Sequence, residues 1–331
     1  MDAGQRYADE MLEKIAAELA KALGKTNKIA VQKMKAYLKK HQDIIDKLNA
    51  QLERGEITER EYKLQMIARL TTGKEWTEVR DAIAEDMTRG VEDALEGTAV
   101  ILTAIYLFNR NYANEMIETT LKKRRGQVVK LPRVQKRDLI KPPKPSRPKN
   151  RRWHKTRVDS VIRQGMKKGH SIDKIARQLN KVTDTDIITA YRTARTKVTD
   201  AESEARMDSF YDAEDAGVKM YKQWDAVKDN RTRTSHRVLD GERIPINEYF
   251  SNGLFRPADP NGDPSEIYNC RCRLKGVPEG LETLDEPQAP KGMGRYEWIG
   301  QKPVSKPYPI SKKEREEAQK KRGTGKYRKK K

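Results

Sequence analysis

Residues 229–273 read DNRTRTSHRVLDGERIPINEYFSNGLFRPADPNGDPSEIYNCRCR. This stretch holds His236 and both cysteines of the protein, Cys270 and Cys272, within a run of Asp, Asn, Gly and Pro. Asp229-Asn230 and Asp240-Gly241 favour turns, because short polar side chains bond nearby backbone and glycine accepts positive φ. Arg231 is placed to staple those loops to a carboxylate, Asp229 or Asp240. Just upstream, VKMYKQWDAV alternates after Gly217, with Val218, Met220, Trp224 and Ala226 on one face. That period reads as a strand, with Trp224 in the core. The region therefore reads as a small module of loops and short strands, architectural rather than built around a pocket.

The same stretch carries the chain's chemically distinctive residues. Thiolates and imidazole are zinc-type ligands, so His236, Cys270 and Cys272 form a candidate metal set, with Asp229 as the candidate fourth ligand. A structural zinc would help close a loop-rich module with a modest core. Against it, the C-x-C spacing differs from the usual C-x₂₋₄-C knuckle. In the competing reading His236 bonds loop backbone and the cysteines are small buried groups. A disulfide or reactive thiol is a further alternative. A Cys–His catalytic pair is also open, since Arg271 and Arg273 can lower a thiol pKa. No oxyanion hole, Gly-rich phosphate loop, H-E-x-x-H or nucleophile elbow accompanies it, so no cofactor is assigned with certainty and the chain reads as a non-enzyme.

Upstream of this module the periodicity is helical. Tyr7, Met11, Leu12, Ile15, Ala16, Leu19 and Leu23 share one face, and Gly24 is the expected stop. Val31, Met34, Leu38, His41, Ile45, Leu48 and Leu52 alternate in steps of three and four, a coiled-coil seam that places His41 in the core. Arg54-Gly55-Glu56 breaks it, and Thr58 with Glu61 makes a capping box. One long helix is expected along Val79, Ile83, Met87, Val91, Ile101, Ile105, Phe108 and Tyr112, with Gly90 and Gly97 bending it or admitting a close neighbour. Residues 156–216 read as two short helices and a long one. Ser171 caps the second; Ile187, Tyr191, Ala194, Val198, Ala201 and Ala205 line the third.

The fold class is thus α+β: an N-terminal α-helical bundle or hairpin, a small C-terminal α+β module with a loop-rich end, and a basic disordered tail. The expected domains are a helical domain 1–120, a Pro-rich basic linker 121–155 that is exposed and extended, the module 156–277, and the tail 278–331.

Charge divides the 331 residues in the same way. The net charge is +21, but residues 121–170 hold 19 basic and 2 acidic groups, and residues 286–331 hold 15 and 5. The two remaining blocks are slightly acidic. Basic segments so concentrated attract polyanions through counterion release. Lys122, Lys123, Arg124, Arg125, Arg151 and Arg152 in the first, and Lys320, Lys321, Arg322, Arg328, Lys329 and Lys330 in the second, are the candidate DNA contacts. Two cysteines in a chain of this length are not a disulfide framework, which suits a reducing compartment. The start is charged throughout and the longest apolar run is too short to span a bilayer, so a soluble, cytoplasmically made protein without a membrane partner is expected.

In order and spacing, Arg192-Thr-Ala-Arg195-Thr196, Gly217 before Trp224, Asp229-x-Arg231-Thr232, His236, Leu239-Asp240-Gly241, Phe250, Pro257 to Pro260 and Asn269-Cys270-Arg271-Cys272 resemble the C-terminal module of phage head morphogenesis proteins, the Mu F-like minor head family. The resemblance covers about residues 155–275. Lys197 stands where the family often has Glu, which touches only roles that need a carboxylate there. The resemblance implies a minor head (minor capsid) protein of a tailed phage or prophage. Its expected partners are the portal protein, procapsid or scaffolding proteins and double-stranded DNA bound without sequence preference. Its expected location is the virion interior after assembly in the host cytoplasm. Related modules also occur beside toxin domains, whereas here only a basic tail is expected after Leu274. The alternative is a metal- or thiol-dependent enzyme using His236 with Cys270 and Cys272.

Overall fold

The computed structural model describes residues 2–142 and 147–287. They form ten helices and three strands. The order is α1 (Ala3–Lys40), α2 (Gln42–Glu53), α3 (Glu59–Leu70), α4 (Gly73–Gly97), α5 (Ala99–Arg125), α6 (Arg147–Lys167), α7 (Ile172–Arg177), α8 (Asn180–Asp215), β1 (Met220–Asp225), α9 (Thr234–Val238), β2 (Arg243–Pro245), α10 (Pro264–Ile267) and β3 (Arg273–Pro278). The fold is α+β, mostly helical, with its single described sheet near the C-terminal end. No helix among the described residues is long and apolar enough to cross a membrane.

The chain folds into two compact units that interleave in sequence. The helical unit takes residues 17–96 and 147–191; the sheet-bearing unit takes residues 2–16, 97–142 and 192–287. These units cut the chain differently from the domains read off its charge and periodicity.

In the helical unit the seam residues Met34, Leu38, Ile45 and Leu48 are buried with Leu70, Trp76, Ile83, Val158, Ile162 and Leu179. The expected capping box is present: Thr58 accepts from the Glu61 N–H, and Glu61 accepts from the Thr58 N–H at 2.8 Å. Gly24 does not stop α1, since one glycine costs a helix about 1 kcal/mol and packing on both sides outweighs that. Gly90 serves close approach: a Cβ there would meet Thr26 Oγ1 at 2.5 Å. His41 leaves the core. It sits at the α1–α2 break, half-exposed, with Nδ1 3.1 Å from the Tyr37 carbonyl and Nε2 3.3 Å from Glu75.

In the sheet-bearing unit the expected long helix is broken at Thr98, and α5 is buried almost all round. A helix enclosed this way has little polar face to offer water, and its buried asparagines bond to backbone instead. Asn111 exchanges two bonds with Val134, donating to its carbonyl at 3.0 Å and accepting from its N–H at 2.8 Å. Asn114 donates to the Pro132 carbonyl at 2.8 Å. Thr103 accepts from the Ile140 N–H at 2.9 Å.

These bonds correct the reading of 121–155 as an exposed linker. Residues 121–125 finish α5, 126–142 run extended but docked along it with Leu131 buried, and 147–155 open α6. The arginines of the segment also find carboxylates: Arg133 pairs with Glu115 and Glu118, and Arg137 with Glu204. The start of the expected tail is docked too. The Asp285 N–H donates to Thr120 at 2.8 Å, and Leu284 packs on the core. The remainder, 288–331, lies outside the described residues.

The sheet has order β2-β1-β3, both pairings antiparallel. Tyr221 faces Pro245 on one side and Val277 on the other. The α8 side chain Phe210 packs against Gly276 of β3, where a Cβ would lie 2.2 Å from a ring carbon.

Candidate metal centre and its surrounding loops

The strand β1 positions the site. Its burial alternates, with Met220, Lys222 and Trp224 inside. Trp224 is fully buried, as read from the sequence, and stacks edge-on against His236 at 5.2 Å and Phe250 at 5.0 Å. Asp240 accepts from the Ala226 N–H at 3.0 Å, and Gly241, at φ 86°, donates to the Trp224 carbonyl at 2.9 Å. This is the turn that Asp240-Gly241 announced, and it returns the chain as β2.

The short helix α9 then delivers His236, 1% exposed, into the core. The Asn269-Cys270-Arg271-Cys272 turn reaches the same place from the other side. Asn269 adopts φ 58°, a left-handed conformation that asparagine tolerates better than most residues. Two α8 threonines fix the turn: Thr196 accepts from the Asn269 N–H at 3.1 Å, and Thr199 donates to the Cys270 carbonyl at 2.7 Å. Beyond it the chain runs extended into β3, and extended backbone alternates its side chains. Cys270, Cys272 and Leu274 are therefore buried, while Arg271 and Arg273 are half-exposed. That alternation is the physical content of the C-x-C spacing: it sets two sulfurs on one face.

His236 Nδ1 lies 3.4 Å from Cys272 Sγ and 3.7 Å from Cys270 Sγ. All three ligand atoms lie within 4.8 Å of one another. The opposite ring atom, Nε2, is 2.9 Å from Glu266 Oε2 on α10, at ion-pair distance but outside hydrogen-bond alignment. Ser235 donates to that same carboxylate oxygen at 2.9 Å. The neighbouring Cys272 thiol, with burial, raises the Cys270 pKa, while Cys270, with His236, lowers that of Cys272.

Asp229 does not join the cluster. Both its oxygens are taken by Arg271, at 2.6 and 2.7 Å, and the Arg231 N–H donates to it at 3.0 Å. Arg271 holds its carboxyl well below the usual carboxylate range. The staple expected from Arg231 is thus made by Arg271. The Arg231 side chain is mostly exposed, its Nε 3.9 Å from Asp229. The Arg271 side chain points away from the thiols because of the alternation, which is why it meets the Asp229 loop. Arg195, Arg231, Arg271 and Arg273 line one cleft of 270 Å³ with Gln5, Asp9 and Glu202.

Two residues of this region escaped the sequence reading. Lys222 occupies the buried face between Met220 and Trp224, a position that the alternation itself marks. Its ammonium donates to the Phe255 carbonyl at 2.8 Å and sits 3.4 Å over the Phe255 ring. Burial pushes its pKa down to about 7, against the pull of Asp259. Glu266 carries no sequence signal toward His236, because only folding brings α10 beside α9. In the helical unit His154 was likewise missed. It was read as linker, although His154, Val158 and Ile162 recur at four-residue spacing and all are buried. Its Nδ1 is 2.9 Å from Thr88 Oγ1, and its Nε2 is 3.1 Å from both Asp186 oxygens.

Residues 156–275 match the family model described as Phage Mu protein F like protein. The chain carries a Mu F-like module. That module takes in α7, α8, the whole sheet but the end of β3, and the His-Cys-Cys cluster. The chain is also 33% identical over 128 residues to the minor head protein GP7 of Bacillus phage SPP1, a match covering 37% of this chain and 41% of that protein. It is 32% identical over 126 residues to a protein of Enterococcus faecalis named NAD(+)--arginine ADP-ribosyltransferase EFV, covering 38% of this chain and 26% of that one. The uncharacterized protein YqbB of Bacillus subtilis is 33% identical over 127 residues, covering 36% of this chain and 41% of that one. The chain therefore aligns with less than half the length of each of these relatives. No solved structure matches it.

Proposed function

We propose that this protein is a structural minor head protein of a tailed phage or prophage. It associates with the portal and with the procapsid or its scaffolding proteins, contacts packaged double-stranded DNA, and ends inside the virion after assembly in the host cytoplasm. The observation that carries this reading is the Mu F-like match over residues 156–275, together with the identity to the SPP1 minor head protein. Burial of His236, Cys270 and Cys272 supports a structural use of the cluster, since a nucleophile or general base must meet its substrate.

The charge distribution supports the DNA contact. Lys122, Lys123, Arg124 and Arg125 at the end of α5, and Arg151 and Arg152 on α6, are exposed. Part of that charge is already engaged: Arg124 pairs with Asp285 at 2.8 Å and Arg151 with Glu85 at 3.2 Å. The basic residues from Lys320 to Lys330 lie outside the described residues and supply the rest.

The test is co-sedimentation of the full chain with the portal ring encoded by the same genome, at moderate and high salt. A portal contact that survives high salt supports the reading; no binding at either salt overturns it. DNA binding is expected to be blind to sequence and to weaken steeply with salt, with a logarithmic slope of about −0.9 per phosphate neutralised. Unchanged DNA affinity after neutralising both basic groups would refute the DNA half alone.

A further inference from the structure

We infer that His236 Nδ1, Cys270 Sγ and Cys272 Sγ bind a thiophilic divalent metal ion of the zinc class, with Glu266 as the hydrogen-bond partner that orients the imidazole. The inference is independent of the head role.

The spacing of the ligand atoms carries it. Zinc bonds of about 2.3 Å to sulfur and about 2.0–2.1 Å to nitrogen, at a tetrahedral angle, set a ligand sulfur and nitrogen about 3.6 Å apart. The two distances found here, 3.4 and 3.7 Å, bracket that value. The three donor atoms thus lie close enough together to share one ion.

The second observation is on the far side of the ring. A metal-bound imidazole coordinates through one nitrogen and gives the proton on the other to a carboxylate or carbonyl. His236 turns Nδ1 to the sulfurs and Nε2 to Glu266 Oε2 at 2.9 Å. Nε2 is a buried polar atom without an aligned hydrogen bond, and a small turn of the ring on metal binding would supply one.

The third is the surroundings. Trp224, Phe250 and Leu239 enclose the cluster in the module's apolar core. A metal there ties α9 to the Cys270–Cys272 segment, two pieces of chain 34 residues apart in sequence. Asp229 is excluded as a ligand by its pairing with Arg271. Among the described residues three side chains gather as ligands.

The experiment begins with the full chain purified without chelator, its zinc measured by elemental analysis. About one zinc per chain is expected. After stripping, titration with Co²⁺ alone should give thiolate-to-cobalt charge-transfer absorption and tetrahedral d–d bands, saturating at about one equivalent. Cys272→Ser should remove the charge-transfer band contributed by that sulfur. Glu266→Gln should keep the spectrum but weaken retention by about 10- to 100-fold. The wild-type titration needs no variant to fold. A folded, metal-free wild-type protein whose thiols titrate freely and which gives no cobalt bands overturns the inference. So does a Cys270–Cys272 disulfide in the intact protein purified under reducing conditions.

Discussion

Two histidines, His154 in the helical unit and His236 in the sheet-bearing unit, are each 1% exposed and each have partners at both ring nitrogens. Their burial is the same and their chemistry is not. His154 stands between a hydroxyl and a carboxylate, Thr88 and Asp186, which complete its hydrogen bonds. Thr88 also donates to its own helix at the Ala84 carbonyl, 2.7 Å away, so the arrangement satisfies a buried polar group within the bundle. His236 stands between two sulfurs and a carboxylate. Sulfur is a weak hydrogen-bond partner and a strong metal ligand. What a buried histidine does is thus set by the atoms it faces, and burial alone does not distinguish a core bond from a metal ligand.

The largest expected effect divides the two units. Metal binding of this kind is worth on the order of 10 kcal/mol in small metal-dependent folds. Stripping the proposed metal should therefore collapse amide protection around 224–240 and 268–274 while leaving the neighbourhoods of 88, 154 and 186 unchanged. Hydrogen exchange read by mass spectrometry makes that comparison, and equal loss in both units would break it.

His154→Ala should do the reverse. It strands Asp186, whose pKa burial already raises. Removing one partner of a buried pair costs about 3–5 kcal/mol. Denaturant melts should record that loss with zinc content unchanged; a fall in bound zinc would join the two sites that the comparison separates.

A smaller effect is expected where the sheet meets α8. Gly276→Ala drives a methyl into Phe210, an overpacking that costs about 1–3 kcal/mol. Retained stability in a chemical melt would mean that Phe210 has room to turn.

A pH dependence is expected as well. Lys222 has a folded pKa of about 7, below its ordinary 10.5. The neutral amine is therefore favoured on folding. Its contribution is complete above 10.5 and is lost as pH falls through about 7. Lys222→Met should flatten the stability of the sheet-bearing unit across that window, and an unaltered profile would assign the slope to another group.

The parts of this fold that repeat were legible in the sequence. Met34, Leu38, Ile45 and Leu48 announced their seam, Thr58 and Glu61 their cap, and Met220 and Trp224 their strand. Each of those signals is a period or a pair within a few residues. The site was half legible: residue type singled out His236, Cys270 and Cys272, and the structure gathers them. What failed was the assignment of partners across distance. Asp229 was offered as a fourth metal ligand and Arg231 as a partner of Asp229 or Asp240, yet Arg271, 42 residues from Asp229, takes the Asp229 carboxylate. Glu266 and Asp186 belong to the same class, since nothing local ties either to its histidine. Residues 126–142 failed for a related reason. Lys, Arg and Pro read as solvated chain, but Asn111, Asn114, Glu115 and Glu118 on α5 supply the partners that hold the segment down.

The interleaving of the two units sets a timetable for synthesis. Arg206 bonds Asp2 across 204 residues, at 2.8 and 2.9 Å, and Arg273 bonds Gln5 across 268. At a ribosomal rate of about 5–20 residues per second, the first turn of α1 waits roughly 10–40 s for Arg206 to be made. The helical unit needs nothing beyond residue 191, whereas the last turns of α5, at Ile117 and Leu121, share a core with the strands made last. A nascent chain stalled before residue 270 should therefore hold a finished helical unit and an uncovered apolar end of α5, a natural client for a chaperone until the last strand arrives.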